Sequence, residues 1–524
     1  MHLSENSLVK VIFAILVLAT VLAGVGIYLH PMALFPDPSR GFLVMQSMQH
    51  GNAFNTLSVP DPQNISNNVN EFISWWSPGQ YLLPYAFISL FHISIGQASA
   101  LTTILCEILG LFGFYQFFRQ AGFTKIISIV SIAFIASQVF YFIPLVFYNG
   151  GEVLLFGFAG WFLYGCLKLR NPRNWEMVLF IILTGWIGFV CKSSFIWIYA
   201  AGLLFIWIRS SKPGLFAIRG IANGLWIAIP AVVSFAGIYF GYLSRGLTPT
   251  SEGHKTKLLW ETFGFPLASP ILSGFSIDEI SHGLLFHPDG PMFTYTVSVF
   301  IIIALAIASV LLVKRIVKLL PSTDYSLMLV TVYVVCVLFF GWSFFRQLAI
   351  SYEGRHFRIM GLLLIPGAVY LVSKLIKPYR VLFSAVWLVI LHAGISFAVE
   401  GYDRNKNEEA RGNTGLAQQF LDQDALDEVI RLDNTNNNAI FVFISPDLSL
   451  EIQHNRTITL EPIGPQLRVN YNDYQHCGHA GPLYIILPAS YRGAKATMIW
   501  KSFEDYKGFK YTQLSDDYIM FSAK

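Results

Sequence analysis

The side chains that can carry chemistry in this 524-residue chain recur in short polar breaks between apolar runs. Asp37 stands between Pro36 and Pro38, whose rings stiffen the backbone around it. A carboxylate held in this way can act as a general base toward a hydroxyl; the plainer reading is an aspartate in a proline-rich turn. Arg40 is then either an ion-pair partner or a phosphate ligand, and Glu71, Trp75 and Trp76 follow in the same polar stretch. Glu152 opens an apolar run after Asn149-Gly150-Gly151, and Lys192 interrupts another that extends from Met177 to Ile208. A charge in hydrocarbon costs about 2.5–3.5 kcal/mol, so Lys192 belongs at a break between two short helices. There it is either a hydrated lysine or a cation facing an anionic head group. The segment FFRQLAISYEGRHFRIMG gathers Arg346, Glu353, Arg355, His356 and Arg358. Guanidinium groups pair with phosphate through parallel hydrogen bonds. Glu353 alone cannot compensate the three arginines, which favours a phosphate-bearing ligand over a purely structural ion pair.

Other polar residues invite quieter readings. Glu107 lies within an apolar run and reads as a buried carboxyl, protonated or hydrogen-bonded. His476, Cys477 and His479 have no second pair at zinc-site spacing, so they read as a polar loop and no metal is indicated, although a divalent ion is compatible with the chemistry. Asn64-Ile65-Ser66 and Asn455-Arg456-Thr457 match the glycosylation sequon, which matters only for a chain that faces a lumen.

The elements that position these groups must be membrane helices. With 54% hydrophobic, 15% aromatic and 13% charged residues, the composition lies outside the soluble range. A hydrocarbon layer needs roughly 20 apolar residues per helix. Such runs fall near 8–29, 98–118, 126–147, 151–169, 175–191, 193–209, 222–243, 293–313, 325–345, 357–375 and 380–399. The first is too long and uniform for a signal peptide and reads as a retained span. Cationic clusters at Arg119/Lys125, Lys168–Arg173, Arg209–Arg219, Lys314–Lys318 and Lys374–Arg380 each follow a pair of runs. Assigning all five to the cytoplasm satisfies the positive-inside bias, provided that Pro78 to Ile95 is a juxtamembrane or re-entrant helix. The expectation is about eleven spans in an inner, plasma-type membrane, with the N-terminus inside and the C-terminus outside. The first outer loop, about 30–97, the turn at Tyr148–Glu152, the break at Lys192, the long loop from about Ser244 to Pro291 and the stretch Phe345–Arg358 then share the outer face. The net charge of +4 is accounted for by orientation and gives no reason to expect nucleic acid. Cys106, Cys166, Cys191 and Cys336 sit in apolar runs and Cys477 alone in the polar tail, so no disulfide framework follows.

The chain divides into a membrane domain, 1–399, and an extracytoplasmic domain, 400–524. In the latter, Gly415 to Leu432 has helical periodicity with Leu416, Phe420, Leu421, Leu426, Val429 and Ile430 apolar. Strand-like runs follow at 439–444, 457–460 and 483–487, a helix at 494–503, and a closing pair at 509–514 and 518–522. Alternating helices and strands imply a small α/β domain without a glycine-rich phosphate fingerprint.

This arrangement resembles the GT-C class of integral membrane glycosyltransferases, particularly the lipid A aminoarabinose transferases and protein O-mannosyltransferases. Asp37 is similar to the acid those families place after the first span. Ser77-Pro78-Gly79-Gln80-Tyr81 and His92–Gly96 resemble their proline-led helix, Glu152 the acid opening the fourth span, and Cys191-Lys192-Ser193 a Thr-Lys-Gly-like break. Glu353-Gly354-Arg355-His356 with Pro366 resembles their late Glu-Arg-Tyr motif. Two features depart from the pattern: Asp37 is followed by Pro38-Ser39-Arg40 instead of a second acid, and Trp76-Ser77 replaces a lysine. Acceptor recognition is therefore not expected to copy the aminoarabinose enzymes. The resemblance implies inverting transfer of a sugar from a polyprenyl-phosphate donor to a lipid or glycan acceptor at the outer leaflet, with no obligatory cofactor. Asp37 would be the base, Arg355, Lys192 and Arg346 would hold the donor phosphate, and Arg40, Glu152, Glu353 and Glu71 would be further site candidates. A transporter or flippase of an anionic or lipid-linked substrate is the competing expectation; it predicts internal repeats, and none is visible in the sequence.

Overall fold

The computed structural model describes residues 4–212, 214–248, 255–285, 290–320, 323–419, 421–463 and 471–524. The chain is a polytopic α-helical membrane protein with a small C-terminal sheet domain. It opens with α1 (Glu5–Leu29), β1 (Ala33–Leu34), α2 (Pro36–Gln49), the hairpin β2 (Thr56–Asp61) and β3 (Asn64–Phe72), and α3 (Gly79–Phe91). The bundle continues with α4 (Ile95–Gln120), α5 (Lys125–Ala136), α6 (Val139–Phe142), β4 (Phe147–Tyr148), α7 (Gly151–Lys168), α8 (Trp175–Cys191), α9 (Phe195–Ser210) and α10 (Ile218–Gly241). It ends with α11 (Glu261–Gly274), α12 (Ile277–Ile280), α13 (Tyr295–Leu319), α14 (Thr323–Phe345), α15 (Arg358–Lys374) and α16 (Lys377–Asn407).

Among the described residues, seven helices are long and apolar enough to cross a bilayer, or eight if α5 and α6, bent by 62° with the turn that follows, form one broken span. The expected eleven are not all matched by helices of this length and hydropathy: α7, of 18 residues, is not among the seven, and α8 and α9 are shorter apolar helices. Leu22, Val232, Phe300 and Leu388 are exposed on the outer surface, as lipid-facing positions should be. The basic turns meet at one end of the bundle: Arg170 lies 3.9 Å from Asp324, Arg173 bonds Asn223 at 3.2 Å, and the Phe123 ring abuts both Tyr325 and Tyr370.

Two segments of the membrane domain differ from the sequence expectation. The first polar stretch is no open loop: α2, a two-stranded hairpin and α3 order most of it. At 13 residues α3 is about 20 Å long, short of a hydrocarbon layer. The stretch expected as a loop from Ser244 contains α11, whose Phe265, Ala268 and Leu272 are fully buried; residues 249–254 and 286–289 of that stretch lie outside the description. Pro266 and Pro270 obscured it, since proline removes a ladder donor. Side-chain hydroxyls help in such helices, and here Ser273 donates to the carbonyls of Ser269 and Phe357.

The C-terminal domain contains β5 (Ala410–Arg411), β6 (Ala417–Gln418), α17 (Gln423–Thr435), β7 (Ile440–Phe443), α18 (Pro446–Ser449), β8 (Arg456–Thr459), β9 (Leu483–Pro488), α19 (Ala494–Lys501), β10 (Lys510–Gln513) and β11 (Tyr518–Ala523). Its sheet runs β10-β11-β9-β7-β8, with β7 parallel to both neighbours and β11 antiparallel to β9. The expected helix from Gly415 begins only at Gln423, because Ala417–Gln418 pairs with Ala410–Arg411 instead; Phe420 lies outside the described residues. The β2–β3 hairpin inserts Ile65 into this domain's core beside Ile440, Val442 and Ile458. Its backbone bonds Cys477 in both directions, Ile65 N to Cys477 O and Cys477 N to Pro62 O, at 2.9 Å each.

Candidate functional site

Three helix ends and one short turn build the site. Asp37 lies in the first turn of α2, with Pro36 at the first helical position, where a missing N–H costs nothing. Glu152 lies in the first turn of α7, so both carboxylates sit where the helix dipole favours negative charge. Lys192 caps the C-terminus of α8 at the break before α9. Arg355 and His356 lie on a 3-10 turn, Gly354–Phe357, that leads into α15.

A parallel pairing of β1 with β4 joins the two acid-bearing turns, which are more than a hundred residues apart, placing Ala33 opposite Phe147 and Leu34 opposite Tyr148. Gly150, between β4 and α7, has φ +54°, a region that L side chains rarely adopt. A Cβ there would stand 2.8 Å from Gln80 Oε1 and 3.0 Å from the Pro38 ring, so α2, α3 and α7 converge on this glycine. Tyr148 donates to the Gln80 carbonyl at 2.7 Å, and Tyr242 donates to the Trp76 carbonyl at 2.7 Å, securing the Trp75–Trp76 loop.

Asp37, Glu152, Glu353, Lys192 and Arg355 meet as one ionic cluster. Arg355 Nη1 lies 3.7 Å from Asp37 Oδ2 and 3.7 Å from Glu152 Oε1, and its Nε lies 2.5 Å from Glu353 Oε2. Lys192 Nζ donates to Glu152 Oε1. Asp37 is the most open of the five, with 45% of its side chain accessible against 28% for Arg355 and 16% for Lys192. Partial burial raises the Asp37 carboxyl above its ordinary value; the charges of Arg355 and Lys192 pull it down, and those of Glu152 and Glu353 push it up.

Asp37, Glu152, Lys192 and Arg355 of the cluster line a cavity of about 710 Å³ together with Trp75, Trp76, Ser193, Ser351 and His356. His356 Nε2 is 3.2 Å from Ser351 Oγ. Ile196, Tyr199, Phe235 and Tyr239 also line the cavity and belong as well to an apolar groove between α9 and α10, where Leu203, Val232 and Phe240 continue toward the lipid-facing surface. Behind the cluster a smaller chamber of about 160 Å³ is lined by Glu107, Asp278, Glu279 and Arg358 together with Glu152 and Arg355. Glu107 is 1% exposed, and among the described residues neither of its carboxyl oxygens has a hydrogen-bond partner.

Three sequence candidates lie elsewhere. Arg40 pairs with Glu461 of the C-terminal domain at 2.7 Å. Glu71 is exposed on β3, opposite Leu57. Arg346 packs over the Trp342 ring at 5.8 Å and does not line the cavity. Arg358 likewise forms an ion pair with Glu279 and lies over the Phe140 ring. The three outer arginines therefore do not form one phosphate cradle, and Arg355 alone of them lines the larger cavity.

Sequence reasoning passed over Asp278 and Glu279, hidden in what read as a loop. Asp278 accepts the Gly354 amide at 2.5 Å and the Leu284 amide at 3.3 Å, tying down the turn that carries Arg355. Burial, reinforced by the neighbouring Glu279 charge, raises its carboxyl to about 7, against the two amide bonds. The adjacent acids in Ser276-Ile277-Asp278-Glu279 were the available signal. Among the described residues no group of three His, Cys, Asp or Glu side chains is placed to hold a metal.

No family model and no curated protein sequence matches the chain. Among solved structures, it is similar to the arabinofuranosyltransferase AftD from Mycobacteria, with 12% identity and a TM-score of 0.49, over 100% of this chain and 42% of that one. It is also similar to ArnT from Cupriavidus metallidurans, with 13% identity and a TM-score of 0.44, over 97% of each chain. A third similarity, with 13% identity and a TM-score of 0.43, is to the archaeal oligosaccharyltransferase AglB from Archaeoglobus fulgidus in complex with an inhibitory peptide and a dolichol-phosphate, over 97% of this chain and 73% of that one. The chain thus spans less than half of the arabinofuranosyltransferase, and at these scores the likeness carries no weight for substrate or reaction. The similar structures are GT-C glycosyltransferases, the class that the sequence motifs resemble.

Proposed function

We propose that the chain is a membrane glycosyltransferase that moves a sugar from a polyprenyl-phosphate donor to a hydroxyl of a lipid or glycan acceptor at the outer leaflet. One observation carries the reading: a partly accessible carboxylate and two cations meet in a cavity that shares an apolar wall with a groove between α9 and α10. An amphiphile with an anionic head and a prenyl tail matches both parts, the head at Lys192 and Arg355 and the tail along Leu203, Val232 and Phe240.

In the proposed step, Asp37 takes the proton of the acceptor hydroxyl while that oxygen attacks the anomeric carbon. The carbon–oxygen bond to phosphate breaks on the opposite face, and the lipid phosphate leaves with the bonding pair, inverting the centre. Lys192 and Arg355 stabilise the charge that grows on the departing oxygen, where preorganised cations are most effective. These cations are held against Glu152, Glu353 and Asp37. A donor phosphate that engages Arg355 would weaken its pull on Asp37, making Asp37 a stronger base once donor is bound.

The test is transfer by the purified full chain in lipid vesicles with a defined polyprenyl-phosphate sugar and a hydroxyl acceptor. Asp37→Asn is expected to lower turnover by about 10²–10⁴-fold, the range of general-base catalysis, while donor binding is retained. Full transfer by Asp37→Asn would remove the base assignment. Substrate movement across the vesicle without a new glycosidic bond would replace the enzyme by a transporter.

A further inference from the structure

The C-terminal domain meets the membrane domain through more than surface contacts, and two adjacent residues concentrate the connection. Leu450, at the end of α18, is fully buried in a cluster formed mostly by membrane-domain residues, with Leu34 of β1, Phe42, Val44 and Met45 of α2, and Tyr148 of β4. Its carbonyl accepts from Gln46 Nε2 at 2.8 Å. Glu451, also fully buried, faces the segment 411–418: its carboxylate accepts from Thr414 Oγ1, from Thr414 N at 3.2 Å and from Gln418 Nε2 at 2.8 Å, and its carbonyl accepts from Asn413 Nδ2 at 2.9 Å. That segment in turn bonds the chain just ahead of Asp37, where Ala417 N donates to Met32 O at 3.4 Å, and the start of α4, where Gly96 N donates to Thr414 O at 3.0 Å.

Resting on the glycosyl-transfer reading, we propose that Leu450 and Glu451 form a wedge that positions Asp37 for catalysis. Leu450 grips α2 on the C-terminal side of Asp37, and Glu451, through residues 414–418, grips Met32 and β1 on its N-terminal side. Only Phe35 and Pro36 separate β1 from Asp37. A buried carboxylate that loses one of its donors leaves unpaired polar groups on both sides, so a change at Glu451 should be felt at β1 without touching the cavity. A bond that sits 1 Å out of place can cost far more in turnover than in binding, which makes Glu451 a positioning residue rather than a catalytic one.

The experiment compares the full-length chain with Glu451→Gln, which keeps the side-chain shape but sets an amide against one of the donors. Amide hydrogen exchange at Ala33 and Phe35, which bond to Val146 O and Tyr148 O at 3.2 Å each, is expected to quicken about tenfold at unchanged global melting. Turnover should fall while the donor KM stays put. Gly412→Ala is the second variant, because a Cβ at Gly412 would displace the Glu451 carboxylate; it carries the same measurements should Glu451→Gln fail to fold. Unchanged exchange at residues 33–37 in the folded variant overturns the proposal whatever the activity. Quickened exchange in a chain whose Asp37→Asn variant still transfers sugar would sustain the wedge and reject Asp37 as base, so the two failures are told apart.

Discussion

At the scale of single residues, the electrostatics of Asp37 make a testable statement about pH. Its carboxyl is held above the ordinary value of about 3.9 by partial burial. A protonated carboxyl cannot accept the acceptor's proton, so activity is retained above the raised value and lost as pH falls through it. The acid limb of the turnover profile is therefore expected above that of a free aspartate, and Asp37→Glu should move the limb while keeping it. A limb at or below the free value would contradict the burial argument. Arg355 makes a second statement. It reaches Asp37, Glu152 and Glu353 at once, and its planar fork can serve two oxygens where lysine offers a point charge. Arg355→Lys is expected to raise the donor KM roughly tenfold, the equivalent of about 1.4 kcal/mol, measured by donor titration. An unaltered KM would take Arg355 out of donor binding.

At the scale of elements, the site depends on short backbone devices more than on long helices. The two-residue pairing of β1 with β4 and the turn at Gly150 bring Asp37 to Glu152. Gly150→Ala combines an unfavourable φ with a Cβ that strikes Gln80 and Pro38, and strain of this kind costs on the order of 1–3 kcal/mol. Thermal unfolding should shift downward and turnover should fall together, because Pro38 adjoins the base. Wild-type melting in this variant would show that the turn is slack. The sequence displayed Gly150-Gly151 plainly, but what a glycine is for depends on its neighbours in space, and Gln80 and Pro38 come from elsewhere in the chain. The same reason hid α11: its prolines and Ser273 are legible, whereas the packing partners that tolerate them belong to α13, α14 and α15.

At the scale of the whole molecule, sidedness decides whether the proposed chemistry has a place to happen. The basic turns share one end of the bundle, while Asp37, Glu152, Lys192 and Arg355 cluster together in the cavity. On a cysteine-free background, a membrane-impermeant thiol reagent is expected to label Glu71→Cys from outside intact cells and Lys318→Cys only after permeabilisation. Labelling of both from the same side would place acids and basic turns together and dissolve the proposed topology. The C-terminal domain belongs to the same whole. Ile65 of the hairpin is part of its core, and the hairpin lies between α2 and α3 in the chain.

The amino-acid sequence alone determined the class of molecule, since apolar runs of bilayer length between short basic turns leave no soluble alternative. It also made Asp37, Glu152, Lys192, Glu353 and Arg355 stand out, because a charge beside a long apolar run is costly and so calls for a reason. What it did not determine is which charges answer one another. Arg346 was read as a donor-phosphate ligand beside Arg355, yet it rests on Trp342; Arg40, a further candidate, and Arg358, of the same segment as Arg355, are engaged elsewhere by Glu461 and Glu279. Charge pairing acts over a few ångströms between residues tens to hundreds of positions apart, so only the tertiary structure could choose among the arginines.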